Sequence, residues 1–143
     1  VEVDPETGVV KVDGYWVIDD FGTIVNPLLA DGQVMGGVAQ GIGQALMENI
    51  VYDESGQLVT GSLMDYALPR ADDMPRMVID YFEGAPTKKN LLGVKGAGES
   101  GIVVTRAVQA NPVARGLASL GVQVRNLPLS SNRIQALIKE GAA

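Results

Sequence analysis

Glu99 is the residue of this chain best placed to do chemistry. It stands in the stretch Leu91–Gly101, L-L-G-V-K-G-A-G-E-S-G, ahead of a segment from Ile102 onward that reads as a helix. Glycine backbone has no Cβ, so it lets a ligand come close, and a carboxylate held in such a loop can act as a general base. Two phosphate-binding readings compete for the same residues. Gly96-Ala97-Gly98-Glu99-Ser100-Gly101 satisfies the dinucleotide fingerprint G-x-G-x-x-G, and Gly93 to Ser100 has the spacing of a phosphate loop. The phosphate loop fails on charge: Glu99 occupies the position of the lysine that neutralises the triphosphate. The dinucleotide reading predicts Leu91–Lys95 and Val122–Asn126 as strands around the helix 102–120. It lacks the acidic residue expected about 20 positions on, since no Asp or Glu follows Glu99 before Glu140. Only 18 residues follow Arg125, too few for the rest of a dinucleotide-binding sheet. A purely structural use of Glu99 is also open: a carboxylate in a helix's first turn contributes about 0.3–1 kcal/mol through the macrodipole.

The elements around this loop follow from periodicity and turn chemistry. Val1–Val3 alternates, Asp4-Pro5-Glu6-Thr7-Gly8 supplies a turn, and Val9–Ile18 reads as one kinked strand despite the turn signal at Asp13-Gly14. A chain that opens inside a hairpin reads as part of something longer. Asn26-Pro27 is a helix start, with Asn as cap and Pro at the first helical position. The helix that follows carries Met35, Val38, Ala39, Ile42, Ala45 and Leu46 at helical spacing, together with Gly32, Gly36, Gly37, Gly41 and Gly43. Each helical glycine costs about 1 kcal/mol relative to Ala. Such a density implies close packing on another backbone or close approach of a flat ligand, with Gln40 able to reach that ligand through its amide.

Further along, Ile50–Tyr52 and Leu58–Thr60 flank a turn at Asp53–Gly56, and Met77–Phe82 reads as a strand. Asp19-Asp20 and Asp72-Asp73 lack calcium-loop spacing and read as solvated surface. Lys95 is open to pairing with Glu99, to contact with a ligand, or to solvent. Ser100 is a candidate cap for the helix from Ile102, and Pro112 is expected to kink or split that helix near Asn111. A last helix spans Asn132–Lys139, capped by Ser130 or Ser131. The expected class is α+β: antiparallel β hairpins packed on two longer helices, in one domain over 1–143.

Composition narrows the chemistry. The 143 residues carry 11 Lys plus Arg and 17 Asp plus Glu, a net charge of −6, and no basic run, which argues against nucleic acid. No apolar run is long enough to span a membrane and no export signal is visible, so a soluble, cytoplasmic location is expected, or a periplasmic one if a partner carries the chain across. With Cys 0 and His 0 the chain offers no disulfide, no iron–sulfur ligands and no Cys or His catalytic pair. Carboxylates, hydroxyls, Lys, Tyr and bound cofactors remain.

Four blocks in order, V-E-V-D-P-E-T-G, D-D-F-G-T-I-V-N-P, G-Q-V-M-G-G-V-A-Q-G-I-G-Q-A-L and G-V-K-G-A-G-E-S-G, make nearly the whole chain resemble the C-terminal part of the molybdopterin-binding large subunit of the xanthine dehydrogenase, aldehyde oxidase and carbon monoxide dehydrogenase family. The resemblance implies a molybdenum hydroxylase acting on an aldehyde or N-heterocycle, with Glu99 as the base beside the molybdenum. It implies cofactor contacts at Gly37, Gln40 and Gly41, and at Gly96, Gly98 and Ser100 of the second loop. It also implies molybdopterin, in the cytosine dinucleotide form, as cofactor. The implied partners are the N-terminal portion of the same subunit together with iron–sulfur and FAD subunits, and the chain is expected to be inactive alone. The alternatives carried from the residues are an NAD(P)-binding module through Gly96, Gly98 and Gly101, and a non-catalytic assembly module whose glycines only pack helices.

Overall fold

The computed structural model describes residues 1–141. Its first element is a small antiparallel ribbon, β1 (Glu2–Val3) and β2 (Val10–Lys11), in the register Glu2 to Lys11 and Val3 to Val10. The turn between them forms as its residues dictate: Asp4 Oδ1 accepts the Glu6 N–H at 2.8 Å, and Gly8 takes the left-handed conformation, φ +71°.

The segment expected as one kinked strand is two. The chain leaves the ribbon after Lys11, and β3 (Gly14–Asp19) begins at the Asp13-Gly14 turn signal and joins a different partner. That partner is β4 (Arg76–Tyr81), in register from Gly14 with Arg76 to Asp19 with Tyr81, and the pairing is parallel. A parallel pair requires a crossover, and the first long helix supplies it. The α+β class and the two longer helices are therefore as expected, but only β1–β2 is an antiparallel hairpin ribbon among the named strands. The turn at Asp53–Gly56 closes with a single bridge, Tyr52 to Leu58.

Helix α1 (Pro27–Leu46) starts where Asn26-Pro27 says it should, with Asn26 Oδ1 accepting the Leu29 N–H at 3.3 Å. Helix α2 (Ser100–Ala118) runs through Pro112 as one helix, contrary to the expected kink or split. Its buried line is Gly101, Thr105, Gln109, Val113 and Leu117, a strict every-fourth-residue stripe in which two members are polar. Val103, Val104 and Val108, the obvious apolar residues of its first turns, face outward. Helix α3 (Ser131–Gly141) places Ile134 in the core, and its Ile134 N–H bonds to the Ser130 carbonyl.

The core lies between α1 and α2: Val34, Val38, Ile42 and Ala45 from one helix, Val113 and Leu117 from the other, with Leu129 and Ile134 closing the end. Val34 replaces the expected Met35, which is largely exposed. The sheet is tied to α1 by Tyr81, whose hydroxyl donates to Asp31 Oδ1 at 2.6 Å and whose ring packs on Phe21 with centroids 5.5 Å apart. Burial, and then the Asp31 carboxylate, push the Tyr81 phenol up to about 12.

Candidate functional site

The Glu99 loop is positioned by an extension of β3. Beyond Asp19 the chain turns at Gly22, φ +61°, and Gly22 bridges Val94 antiparallel. The Thr23 N–H bonds to the Gly93 carbonyl at 3.0 Å and the Lys95 N–H to the Phe21 carbonyl at 2.8 Å. Lys95 then locks this junction with its side chain, its ammonium meeting Asp20 Oδ2 and the Ala85 carbonyl, each at 2.5 Å. Of the three partners open to Lys95 in the sequence, none is the one found. Asp20 is correspondingly not solvated surface. The Lys95 ammonium, and after it the Gly22 N–H, hold its carboxyl below the ordinary value of 3.8.

A group whose folded-state pKa is depressed stabilises the fold above its unfolded pKa and loses that contribution as the pH falls through the folded value. Lys95→Met is therefore expected to lower the urea midpoint at pH 7. The deficit relative to the parent should shrink as the pH falls through the depressed value of Asp20, where the parent carboxylate is protonated and the ion pair is lost. Equal midpoints at pH 7 would show that this ion pair does not hold the loop.

Past Lys95 the loop crosses to α1, where the Gln33 amide donates to the Gly98 carbonyl at 2.7 Å. Glu99 is the N-cap residue of α2 by backbone position, but its side chain makes no capping hydrogen bond. Ser100, expected as the cap, is instead the first helical residue, and its hydroxyl faces the Ala97 carbonyl at 3.4 Å. The exposed Glu99 carboxylate thus stands at the positive end of a helix dipole, beside first-turn N–H groups that no carbonyl of the same helix satisfies.

Glu99, Gly96, Gly98 and Ser100 line one cleft of about 740 Å³ between the loop, β3 and the first turns of α2. Its walls are Trp16 and Ile18 of β3 and Val103, Val104 and Val108 of α2. Asp19 also lines it, and the sequence reading missed this residue by treating it as solvated surface. Its Oδ2 is buried without a hydrogen-bond partner. The usable signal was its place at the end of a strand whose odd-numbered residues, Tyr15 and Val17, face inward.

The α1 residues divide into two groups. Gly37 and Gly41 are buried where α1 crosses α2. A Cβ at Gly37 would lie 2.9 Å from Gly101 Cα, and one at Gly41 would lie 2.7 Å from Thr105 Cγ2. The space beside those two glycines is filled by α2, so helix packing by itself accounts for glycine there. Gln40 is exposed, one turn beyond Gly36 on the same face. Around Gly36, Gly96 and Gly98 nothing lies within 4 Å of where a Cβ would stand. The chain's own packing therefore does not account for glycine at these three positions.

The dinucleotide reading fails at the fold. Neither Leu91–Lys95 nor Val122–Asn126 forms a strand beside α2, so the glycine loop is not the turn of a strand-helix-strand unit. No group of three or more Asp, Glu, His or Cys among the described residues is placed to hold a metal ion. What the site offers a bound group is open backbone, amide contacts and the carboxyl groups of Asp19 and Glu99.

The loop, delivered to a helix start beside a glycine-rich helix, belongs to an α+β unit. The model of the molybdopterin cofactor-binding domain matches residues 1–75, and the chain belongs to that family. It is 40% identical over 134 residues to the nicotine 6-hydroxylase large subunit of Paenarthrobacter nicotinovorans, covering 94% of this chain and 16% of that protein. It is 33% identical over 140 residues to the carbon monoxide dehydrogenase large chain of Hydrogenophaga pseudoflava, covering 98% of this chain and 17% of that one. The crystal structure of quinoline 2-oxidoreductase from Pseudomonas putida 86 superposes with a TM-score of 0.91 at 38% identity, over 96% of this chain and 17% of that chain. The chain thus spans about a sixth of the length of the relatives it matches. No helix of the described residues is long and apolar enough to cross a membrane.

Proposed function

We propose that this chain is the C-terminal, cofactor-contacting part of a molybdenum hydroxylase large subunit, with Glu99 as its general base. The observation that carries the reading is the presentation of Glu99. Its carboxylate is exposed, uncommitted to capping and set in a cleft it shares with Gly96 and Gly98, whose Cβ positions are empty.

The residues fit such a group. Gly96 and Gly98 leave the backbone open to a flat ring system, and Ser100 adds a hydroxyl at the cleft wall. On α1, Gln40 offers an amide that both donates and accepts, and Gly36 keeps its face clear. When bound, molybdopterin with its molybdenum, in the cytosine dinucleotide form, supplies the two-electron oxidation that transfers water-derived oxygen to an aldehyde or N-heterocycle. The chain's own share is proton transfer: a Glu99 carboxylate oxygen accepts the proton released as the new C–O bond forms, an effect on the order of 10²–10⁴-fold. The Gln33–Gly98 hydrogen bond holds the loop that carries that carboxylate.

With no Cys in the sequence, the electrons leave through iron–sulfur and FAD centres on partner chains. The N-terminal portion of the subunit supplies the rest of the cofactor and substrate pocket, so the chain alone does not turn over.

The test is to purify the intact complex carrying Gln40→Ala and to follow release of molybdenum and of cytidine nucleotide in mild denaturant. Loss of one amide contact, about 1–1.5 kcal/mol, is expected to speed release by roughly tenfold. Release at the parent rate would remove Gln40 from the cofactor site, and absence of a cytidine nucleotide in the parent would overturn the dinucleotide form.

A further inference from the structure

β3 is an edge strand that nothing in the chain guards. It pairs with β4 on one side, and among the described residues no strand pairs with its other side. Neighbouring residues of a strand aim their N–H and C=O groups at opposite edges. The Asp19 carbonyl faces β4, where it accepts the Phe82 N–H at 2.8 Å. By the same alternation, the backbone groups of Trp16 and Ile18 face the free edge.

That edge borders the Glu99 cleft, which every residue from Tyr15 to Asp19 lines. Successive side chains of a strand lie on opposite faces, so a cleft that meets them all runs along the edge. On the α2 side of the cleft stand Val103, Val104 and Val108, all exposed. Trp16 and Ile18 are each 73% exposed. From Gly14 to Ile18 the strand carries no charge and no proline. Edges that meet water are ordinarily blunted by charges, proline or bulges, because an open apolar edge recruits further strands. Parallel sheets, moreover, are covered on both faces and need more than two strands for independent stability.

We propose that the free edge of β3 receives a strand from the upstream portion of the same subunit, which closes the apolar end of the cleft. Its backbone groups pair with those of Trp16 and Ile18, and one of its faces lays apolar side chains on Val103, Val104 and Val108. The end formed by Gly96, Gly98 and Glu99 stays open to the bound group. Extent and continuity select this occupant. The chain spans about a sixth of its relatives, so most of such a subunit lies outside it. The edge is itself a wall of the cleft whose remaining walls that upstream portion supplies. An uncharged apolar edge also suits a permanent contact, since obligate interfaces are the more hydrophobic ones. This inference rests on the reading of the chain as the C-terminal part of a larger subunit.

The test uses the intact complex. Residue-resolved hydrogen exchange compares the amides of Trp16 and Ile18 with those of Val17 and Asp19, which the ladder turns toward β4. All are expected to exchange slowly, because the added strand takes up the N–H groups of the free edge. Exchange of Trp16 and Ile18 at the rate of unpaired amides, with Val17 and Asp19 protected, would overturn the proposal.

The occupant is identified by replacing Trp16 with photoreactive benzoylphenylalanine and sequencing the cross-linked peptides. Peptides upstream of Val1 in the same polypeptide are expected. Cross-links to an iron–sulfur or FAD subunit, to a second copy, or to no peptide would count against the upstream strand and overturn the proposal. Should that variant fail to assemble, the same probe at Val104 takes its place. An intact mass no larger than this chain's would sink the reading of a larger subunit. A larger polypeptide with fast exchange at Trp16 and Ile18 sinks the added strand alone.

Discussion

Glu99→Gln in the intact molybdenum-containing complex is expected to lower kcat on the order of 10²–10⁴-fold while KM, molybdenum content and thermal stability stay close to those of the parent. The substitution keeps the volume and hydrogen-bonding shape of the side chain and removes only its ability to take a proton. Glu99 makes no capping hydrogen bond, so the amide leaves no buried donor orphaned in its place. The competing explanation, a carboxylate retained for the helix dipole alone, predicts a loss of about 0.3–1 kcal/mol of stability and nearly full turnover. The two accounts therefore move different observables, one the rate and the other the melting temperature. Steady-state kinetics beside a thermal melt separates them in one preparation. A Gln variant with parent kcat would sink the base assignment, whatever its stability.

Much of this arrangement could be read from residue types. Asn26-Pro27 marked the start of α1 because cap and first-turn Pro act locally, and the structure keeps both. Met77–Phe82 was visible as a strand, and β4 lies within a residue of those bounds at each end. What escaped was decided by partners distant in sequence. The parallel pairing of β3 with β4 depends on α1 serving as a crossover, which no local pattern in either strand reports. Pro112 was expected to disturb α2, since a Pro nitrogen cannot donate to the preceding turn. It is exposed, and the tertiary contacts of Gln109, Val113 and Leu117 on the opposite side carry the helix through.

The buried stripe of α2 has no apolar signature in the sequence, because two of its members, Thr105 and Gln109, are polar. Thr105 is buried because its hydroxyl pairs with Tyr15 at 2.8 Å and with the Gly101 carbonyl. The candidate site divides the same way. Glu99 and its glycines announce themselves by spacing, whereas Asp19 enters only because β3 ends beside Ser100. Lys95 finds Asp20 only because the β3 extension pairs with the loop.

The glycines of α1 yield the second large effect, and its sign depends on the face. Gly41→Ala is expected to destabilise the protein by about 1–3 kcal/mol from overpacking. A Cβ there would stand 2.7 Å from Thr105 Cγ2, and Thr105 cannot turn aside without giving up its buried hydrogen bonds to Tyr15 and to the Gly101 carbonyl. Breaking those would leave hydroxyls buried without partners, at a further cost of about 1–3 kcal/mol. Gly37→Ala meets backbone instead, at 2.9 Å from Gly101 Cα and 3.0 Å from Ile102 N, so α1 and α2 must separate. Because α2 begins beside Glu99, that separation is expected to lower turnover as well as the melting temperature. Gly36→Ala, one residue earlier, meets nothing within 4 Å and should stabilise the helix by up to about 1 kcal/mol through propensity alone. Chemical denaturation of the three variants measures the contrast directly. If Gly41→Ala and Gly36→Ala shift the midpoint in the same direction, α1 and α2 do not cross at Gly41 as described. If Gly36→Ala is more stable yet retains less molybdenum in the intact complex, its glycine is kept for the cofactor's approach and not for the helix.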